Sequence, residues 1–334
     1  MPDHAHLTID NQVQHKFMQH RIHKILLVCC PYDGYILEED GHIESQINRE
    51  YMELNMSNPP SLTRVESTSQ ALEILSERND FDFVLTMYNV GEPNVFDFAR
   101  KVKQINAQLP VVLLTSFSKE IYRQIDEQKC DAIDNIFCWH GNTDLIIAII
   151  KLMEDKLNAE SDILEGGVQA ILLVEDSIRF YSTYLPELYR IILLQNSEFL
   201  KDAYNEQQQI YRKRARPKVL LATNYDEAMD IYERYKGNML GVISDVGLVM
   251  KSGDSGQEEN PEAGIEICRR IKSETPWMPV LMQSSQSSLS EVAQKMGAGF
   301  ISKSSQTLLQ ELQDVVLREF GFGDFVFRDA SRKE

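Results

Sequence analysis

Short, nearly continuous apolar runs alternate along the whole chain with stretches whose apolar positions recur at three- and four-residue steps. One series of runs comprises "KILLV" (24–28), "LTRVE" (62–66), "DFVLT" (82–86), "VVLLT" (111–115) and "AIDNIF" (132–137). A second comprises "AILLV" (170–174), "KVLLA" (218–222), "GVIS" (241–244), "PVLM" (279–282) and "GFIS" (299–302). Runs this short and this apolar suit strands covered on both faces of a parallel sheet. The stretches between them, such as "SQALEILSER" (69–78) and "YDEAMDIYERY" (225–235), fit amphipathic helices. Alternation of this kind predicts parallel α/β units, with five strands and five helices in each series.

The two series also align with each other: "KILLVCC" with "AILLVED", "FVLTM" with "GVISD", and "PVVLLTS" with "PVLMQSS". Two similar units in tandem are therefore expected, and 334 residues suffice for each to have its own core. The expected boundaries are a flexible polar leader over 1–23, a first unit over 24–157, a linker over 158–168, a second unit over 169–320 and a tail over 321–334. The linker contains the polar "NAESDILEGG" (158–167), which ends in a glycine pair. The helical stretch from 177 to about 214 is unusually long, and its "FYSTYLPELYRIILLQ" portion is rich in aromatic and aliphatic residues. It either packs within the chain or forms an arm for a homodimer or partner contact.

Composition narrows the function classes. Apolar residues make up 43% and charged residues 25%, as in globular chains. No apolar run approaches the ~18 residues that span a bilayer, and the N-terminus lacks the apolar core of a signal peptide. A cytoplasmic protein without a membrane segment is expected. Five cysteines (Cys29, Cys30, Cys130, Cys138, Cys268) without Cys-x-x-Cys spacing suit a reducing compartment. A net charge of −17 argues against nucleic acid as a partner. The one basic cluster, "RKRARPK" (212–218), fits a helix C-terminus stopped by Pro217, with a docking patch as the alternative. Five of the seven histidines (His4, His6, His15, His20, His23) fall in the leader, which offers no helical bundle in which to relay phosphate.

The carboxyl ends of the second series carry the chemistry. In an open parallel sheet, ligands bind there, near the topological switch point. The strands present Glu175 and Asp176, then Asp245, Ser284 and Lys303. Each alone has a structural explanation: a helix cap, a local turn or a solvated charge. Together they place three carboxylates and a lysine at one sheet edge. Each close carboxylate pair costs about 4 kcal/mol at an effective dielectric of 20. A hard dication offsets that repulsion, and oxygen-only ligands suit Mg²⁺. A carboxylate beside Mg²⁺ can attack a phosphoryl group, while a lysine and a hydroxyl steady the phosphoryl oxygens.

Residues 168 to about 318 resemble the receiver domains of bacterial response regulators, with all five functional positions filled. The resemblance implies two tandem (βα)5, flavodoxin-like receiver domains. It makes Asp245 the phospho-acceptor, and Glu175, Asp176, Asp245 and the Gly247 carbonyl the Mg²⁺ ligands. Ser284, Lys303 and Phe300 become the phosphoryl contacts and switch residues. Two departures stand out: Ser304 replaces the usual proline after the lysine, and an extra polar loop (249–264) follows Asp245. In the first unit the aligned positions are Cys29, Cys30, Met87 and Trp139, and only Thr115 remains of the pattern. That unit is expected to be a pseudo-receiver. Its adjacent cysteines are either redox-active or, as the simpler reading has it, small buried hydrophobes.

The implied function is a two-component signalling module whose chemistry is limited to taking up and slowly losing a phosphoryl group. A histidine kinase or phosphotransfer protein would supply it. The ending "FGFGDFVFRDASRKE" (320–334) looks like a lead into a fused C-terminal output region. Residues 214–228 and 319–329 resemble the N-terminal receiver region of bacterial phosphoenolpyruvate synthase or pyruvate, phosphate dikinase-like proteins, which would make the chain a regulatory fragment of such an enzyme. An aspartyl phosphatase would need Asp-x-Asp where the chain has Asp245-Val246-Gly247. A purely structural scaffold is the third reading.

Overall fold

The computed structural model describes residues 17–37, 43–54, 56–116, 132–139, 141, 143–201, 215–250 and 260–320. The first unit contains strands β1 (Lys24–Val28), β2 (Ser61–Val65), β3 (Phe83–Met87), β4 (Val111–Ser116) and β5 (Asn135–Trp139). Its helices are α1 (Pro31–Leu37), α2 (Ile43–Glu53), α3 (Thr68–Glu77), α4 (Val95–Ile105) and α5 (Asp144–Ala159). The second unit has β6 (Ala170–Val174), β7 (Lys218–Ala222), β8 (Met239–Asp245), β9 (Val280–Ser284) and β10 (Gly299–Ser302). Its helices are α6 (Ile178–Lys201), α7 (Tyr225–Tyr235), α8 (Ala263–Glu274), α9 (Ser290–Lys295) and α10 (Leu308–Glu319).

Both sheets are five-stranded and parallel throughout, in the orders β2-β1-β3-β4-β5 and β10-β9-β8-β6-β7. This is the doubly wound, flavodoxin-like order 2-1-3-4-5. The all-apolar strands are the inner ones: every residue of β3 and β6 is buried, whereas the edge strand β2 keeps only Val65 inside. Caps set the helix starts. Asn224 accepts a hydrogen bond from the Glu227 amide and Asn94 accepts from those of Phe96 and Asp97. The last strand of the first unit covers 135–139, not 132–137; Asp134 instead ties the start of β4 by accepting from the Val111 amide at 2.7 Å.

The units do not have separate cores. One cluster runs from the first sheet through α5 and α6 to Ile171, Leu173, Ile243 and Leu281 on the second sheet, and on to Leu312 and Val316 of α10. A smaller cluster fills the opposite face of the second sheet. The apolar residues of α6 are the joint: Tyr184, Leu185, Leu188 and Ile192 are fully buried, so this stripe packs within the chain rather than forming an arm. Tyr181 packs edge-on against Phe137 at 5.5 Å, and the Cys138 amide donates to Ser182 Oγ at 2.9 Å.

The expected linker is also structured. Helix α5 continues into a π-helical turn, Glu160–Glu165, with Asp162 and Ile163 buried. Asp162 accepts from the Met18 amide at 3.1 Å, and Asn158 accepts from the His20 amide at 2.9 Å. Residues 17–23 therefore lie along α5 rather than forming part of a free leader, with Phe17 and Ile22 buried. Of the basic cluster, Arg216 and Lys218 are buried and ion-paired, Arg216 to Asp155 at 2.8 Å and Lys218 to Asp162 at 2.8 Å. They form neither a solvated helix end nor a docking patch. His4, His6, His15, Cys130, residues 202–214, the loop centre 251–259 and the tail 321–334 lie outside the described residues. Among the described residues, no helix is long and apolar enough to cross a membrane.

Candidate functional site

Strands β6 and β8 lie side by side where the strand order reverses, with Val174 opposite Ser244. The residues just past this pair face the crevice at the switch point. Glu175 and Asp176 follow β6, and Asp245 is the last residue of β8. One carboxylate oxygen from each of the three lies within 4.8 Å of the others. Close to Asp245, the backbone of α8 crosses so tightly that a Cβ on Gly264 would sit 1.9 Å from the Asp245 carbonyl oxygen. Only glycine fits there.

Lys303 stands across from the acids. Its ammonium hydrogen-bonds Asp245 Oδ2, donates to Glu175 Oε1 at 2.9 Å and lies 2.7 Å from Glu175 Oε2, off a hydrogen-bonding angle. Backbone amides hold the acids: Ser177 donates to Glu175 Oε1 at 3.1 Å, Val246 to Asp245 Oδ1 at 2.7 Å, and Val249 to Asp176 Oδ2 at 3.1 Å. Burial, then repulsion from Asp245, pushes the Glu175 carboxyl up to about 8 against the pull of Lys303. Burial likewise raises Asp245, again opposed by Lys303. At both carboxyls, burial thus outweighs the pull of Lys303.

The donor set suits a hard dication: three carboxylates and no nitrogen or sulfur ligand. Gly247 fits this set. The carbonyls on either side of it are used, Val246 O by the Gly264 amide at 2.8 Å and Leu248 O by the Asn260 amide at 2.9 Å. The Gly247 carbonyl accepts no backbone hydrogen bond among the described residues.

Ser284 ends β9 beside this cluster. Its Oγ accepts from the Gln286 amide at 3.2 Å, and its carbonyl accepts from the Lys303 amide at 2.9 Å. Phe300 sits apart from the acids, half-buried against the smaller core on the far face of the sheet. The Lys303–Ser304 peptide is not cis. Two residues escaped the sequence reading. Phe180 carries the Lys303 ammonium 4.3 Å from its ring centre, and Tyr184 stacks on Phe180 at 5.9 Å with its hydroxyl buried and unpartnered. Their only trace in the sequence is a four-residue spacing beginning shortly after the acid pair, which places both on one face of α6.

The first unit presents the aligned positions in the same register: Met87 lies opposite Leu114 as Asp245 lies opposite Gln283, and Trp139 follows Cys138, the partner of Thr115. No carboxylate stands at these positions. The Thr115 hydroxyl turns back onto the Ser116 carbonyl at 3.2 Å. Burial pushes the Cys29 thiol up to about 11, which favours its neutral form. Cys30 donates to Asp33 at 3.2 Å.

No protein-family model matches the chain, and no curated protein matches it. Among solved structures, a two-component response regulator/GGDEF domain protein is 15% identical, with 90% of this chain and 98% of that one covered and a TM-score of 0.35. A response regulator receiver domain from Clostridium thermocellum is 21% identical over 46% of this chain and 94% of that one, at a TM-score of 0.27. A Burkholderia pseudomallei response regulator with a phosphorylated aspartic acid, calcium ion and citrate is 13% identical, over 57% and 98% of the two chains, at 0.29. At these values the likenesses carry no weight for the chemistry, which rests on the side chains.

Proposed function

We propose that the second unit takes up a phosphoryl group on Asp245 and that the first unit is a packing partner without that chemistry, the whole serving as a signalling module. The observation that carries this reading is the position of Asp245 at the end of the central strand, with two further carboxylates within 4.8 Å and Lys303 bonded to it. A phosphohistidine on a histidine kinase or phosphotransfer protein is the donor. An Asp245 carboxylate oxygen attacks phosphorus, the P–N bond breaks, and the imidazole nitrogen keeps the electron pair. Water later cleaves the acyl phosphate. Glu175, Asp176, Asp245 and the Gly247 carbonyl would hold Mg²⁺, which would supply positive charge to the phosphoryl oxygens. Lys303 supplies a second cation, and the Ser284 hydroxyl turns to donate a hydrogen bond.

The first unit lacks the parts for this role, since Met87 and Trp139 stand where the acceptor and lysine would be. The test is Mg²⁺-dependent labelling of the intact chain by acetyl phosphate, followed by mapping of the modified residue. Labelling should fall on Asp245 and vanish in Asp245→Asn. Undiminished labelling of that variant, or a labelled residue in the first unit, would overturn the assignment.

A further inference from the structure

A cavity of about 60 Å³ lies where the two units meet and shares no residue with the acidic cluster. Its walls come from the segment before β1, the turn after α2, helices α5 and α6, and Arg216 ahead of β7. Both units thus build it, across the shared core.

Three cations (Arg21, Lys151 and Arg216) and one carboxylate (Glu154) line this space, and a second carboxylate, Asp155, pairs with Arg216 from outside the lining. Arg216 is bound to Asp155 through contacts of 2.8 and 3.0 Å. Lys151, only 6% exposed, donates to Glu154 at 2.8 Å and lies 5.0 Å from the ring centre of Tyr51. An ammonium has three N–H donors, and Glu154 takes one of them. Arg21 meets no carboxylate among the described residues. Three cations less two carboxylates leave one positive charge in the cavity, on a chain whose net charge is −17. Beside Lys151, the Tyr51 hydroxyl is buried, and the ammonium acts on it by its charge and by a hydrogen bond. The remaining donor of Lys151 and the guanidinium of Arg21 are left for a group in this space.

The backbone is unusual here as well. Met18 and Asn58 are the two non-glycine residues with positive φ among those described, at 47° and 58°, and both line this cavity. Such conformations persist where surrounding structure holds them, often at ligand clamps. At about 10–15 Å³ per ordered water, the space holds on the order of four waters or one group of four or five heavy atoms. A guanidinium fork and an ammonium both match an oxyanion, and Asn58 and Asn196 are also among the lining residues.

We propose that this cavity binds one small oxyanion, a carboxylate or inorganic phosphate, between Arg21 and Lys151. Because its walls belong to both units, a bound anion stabilises their docked arrangement by ordinary mass action.

The test is calorimetric titration of the intact chain with sodium phosphate and, separately, sodium acetate, with chloride holding the ionic strength constant. Saturable one-to-one binding of at least one anion is expected, and which one binds separates phosphate from carboxylate chemistry. Arg21→Gln should weaken it about tenfold, while Asp245→Asn should leave it unchanged to within about twofold. Lys151→Met should abolish it; if that variant does not fold, Arg21→Gln decides, since Arg21 carries no ion pair among the described residues. No saturable binding of either anion would overturn the proposal. So would undiminished binding in Arg21→Gln, or loss in Asp245→Asn, which would place the anion at the acidic cluster. Because Asp245→Asn removes only the phospho-acceptor, failure here and failure of the signalling assignment are separate results.

Discussion

The Lys303 ammonium lies 4.3 Å from the centre of the Phe180 ring while it bonds Asp245 and Glu175. A cation over an aromatic face is worth about 0.5–2 kcal/mol, more when desolvated. The ring thus gives the lysine a further neighbour beside the two acids, and α6 carries it there. Phe180→Leu keeps the volume roughly but removes the face. Acetyl phosphate labelling of this variant should slow several-fold, with Mg²⁺ affinity nearly unchanged because no ligand is lost. Labelling at the wild-type rate would show that Lys303 does not depend on the ring.

Glu175 gives the pH dependence. Its carboxyl, raised from 4.5 to about 8, holds more protons in the folded chain than in the unfolded one between those values. Stability of the metal-free chain should therefore fall as pH rises across that window, the reverse of the usual salt-bridged acid. Glu175→Gln should flatten this slope, read as thermal midpoints in chelator from about pH 5 to about pH 8. Metal uptake needs the ionised form, so Mg²⁺ should bind more tightly towards the upper end and release protons on binding. Parallel slopes for wild type and variant would remove Glu175 as the source.

Asp155 ties the units together from a fully buried position. Its Oδ2 accepts from Tyr189 at 2.8 Å, Arg216 at 3.0 Å and the Val219 amide at 2.9 Å. Removing one member of a buried ionic set costs about 3–5 kcal/mol, because the remaining charges stay buried. Asp155→Ala should lower the stability of the chain by that amount in urea unfolding. With one core spanning both sheets, the wild type should unfold in a single transition. Two separated transitions would mean that the units are thermodynamically independent.

The strands and the acidic cluster were legible in the sequence because both depend on local pattern. β6 shows as an apolar run since both of its faces are covered, and Glu175, Asp176 and Asp245 stand at strand ends that a parallel sheet aligns. The joint between the units was not legible. Arg216 and Lys218 look like solvated cations until Asp155 and Asp162, more than fifty residues earlier, are folded against them. The polar "NAESDILEGG" suggests a linker for the same reason: Asp162 is polar in order to pair with Lys218, not to meet water. The stripe on α6 was ambiguous because periodicity gives an apolar face without naming what covers it.

We propose that Ser284 couples the site to the surface beyond it. Its hydroxyl accepts from the Gln286 amide at 3.2 Å, and its carbonyl holds the Lys303 amide at 2.9 Å, so one residue touches both the β9 turn and the lysine strand. On the proposed mechanism, a phosphoryl group on Asp245 would bring acceptor oxygens to which the Ser284 hydroxyl donates by turning. That movement would loosen the turn before α9 and alter the setting of β10, which carries Phe300. An input shifts such an equilibrium only by its differential affinity for the two states, and the hydroxyl is where that difference arises. Ser284→Ala removes one hydrogen bond, worth about 0.5–1.5 kcal/mol, and leaves every proposed Mg²⁺ ligand in place. The variant should bind Mg²⁺ and beryllofluoride like the wild type but show a blunted change in amide exchange across residues 287–318. If its exchange responds as fully as that of the wild type, the coupling runs through another residue.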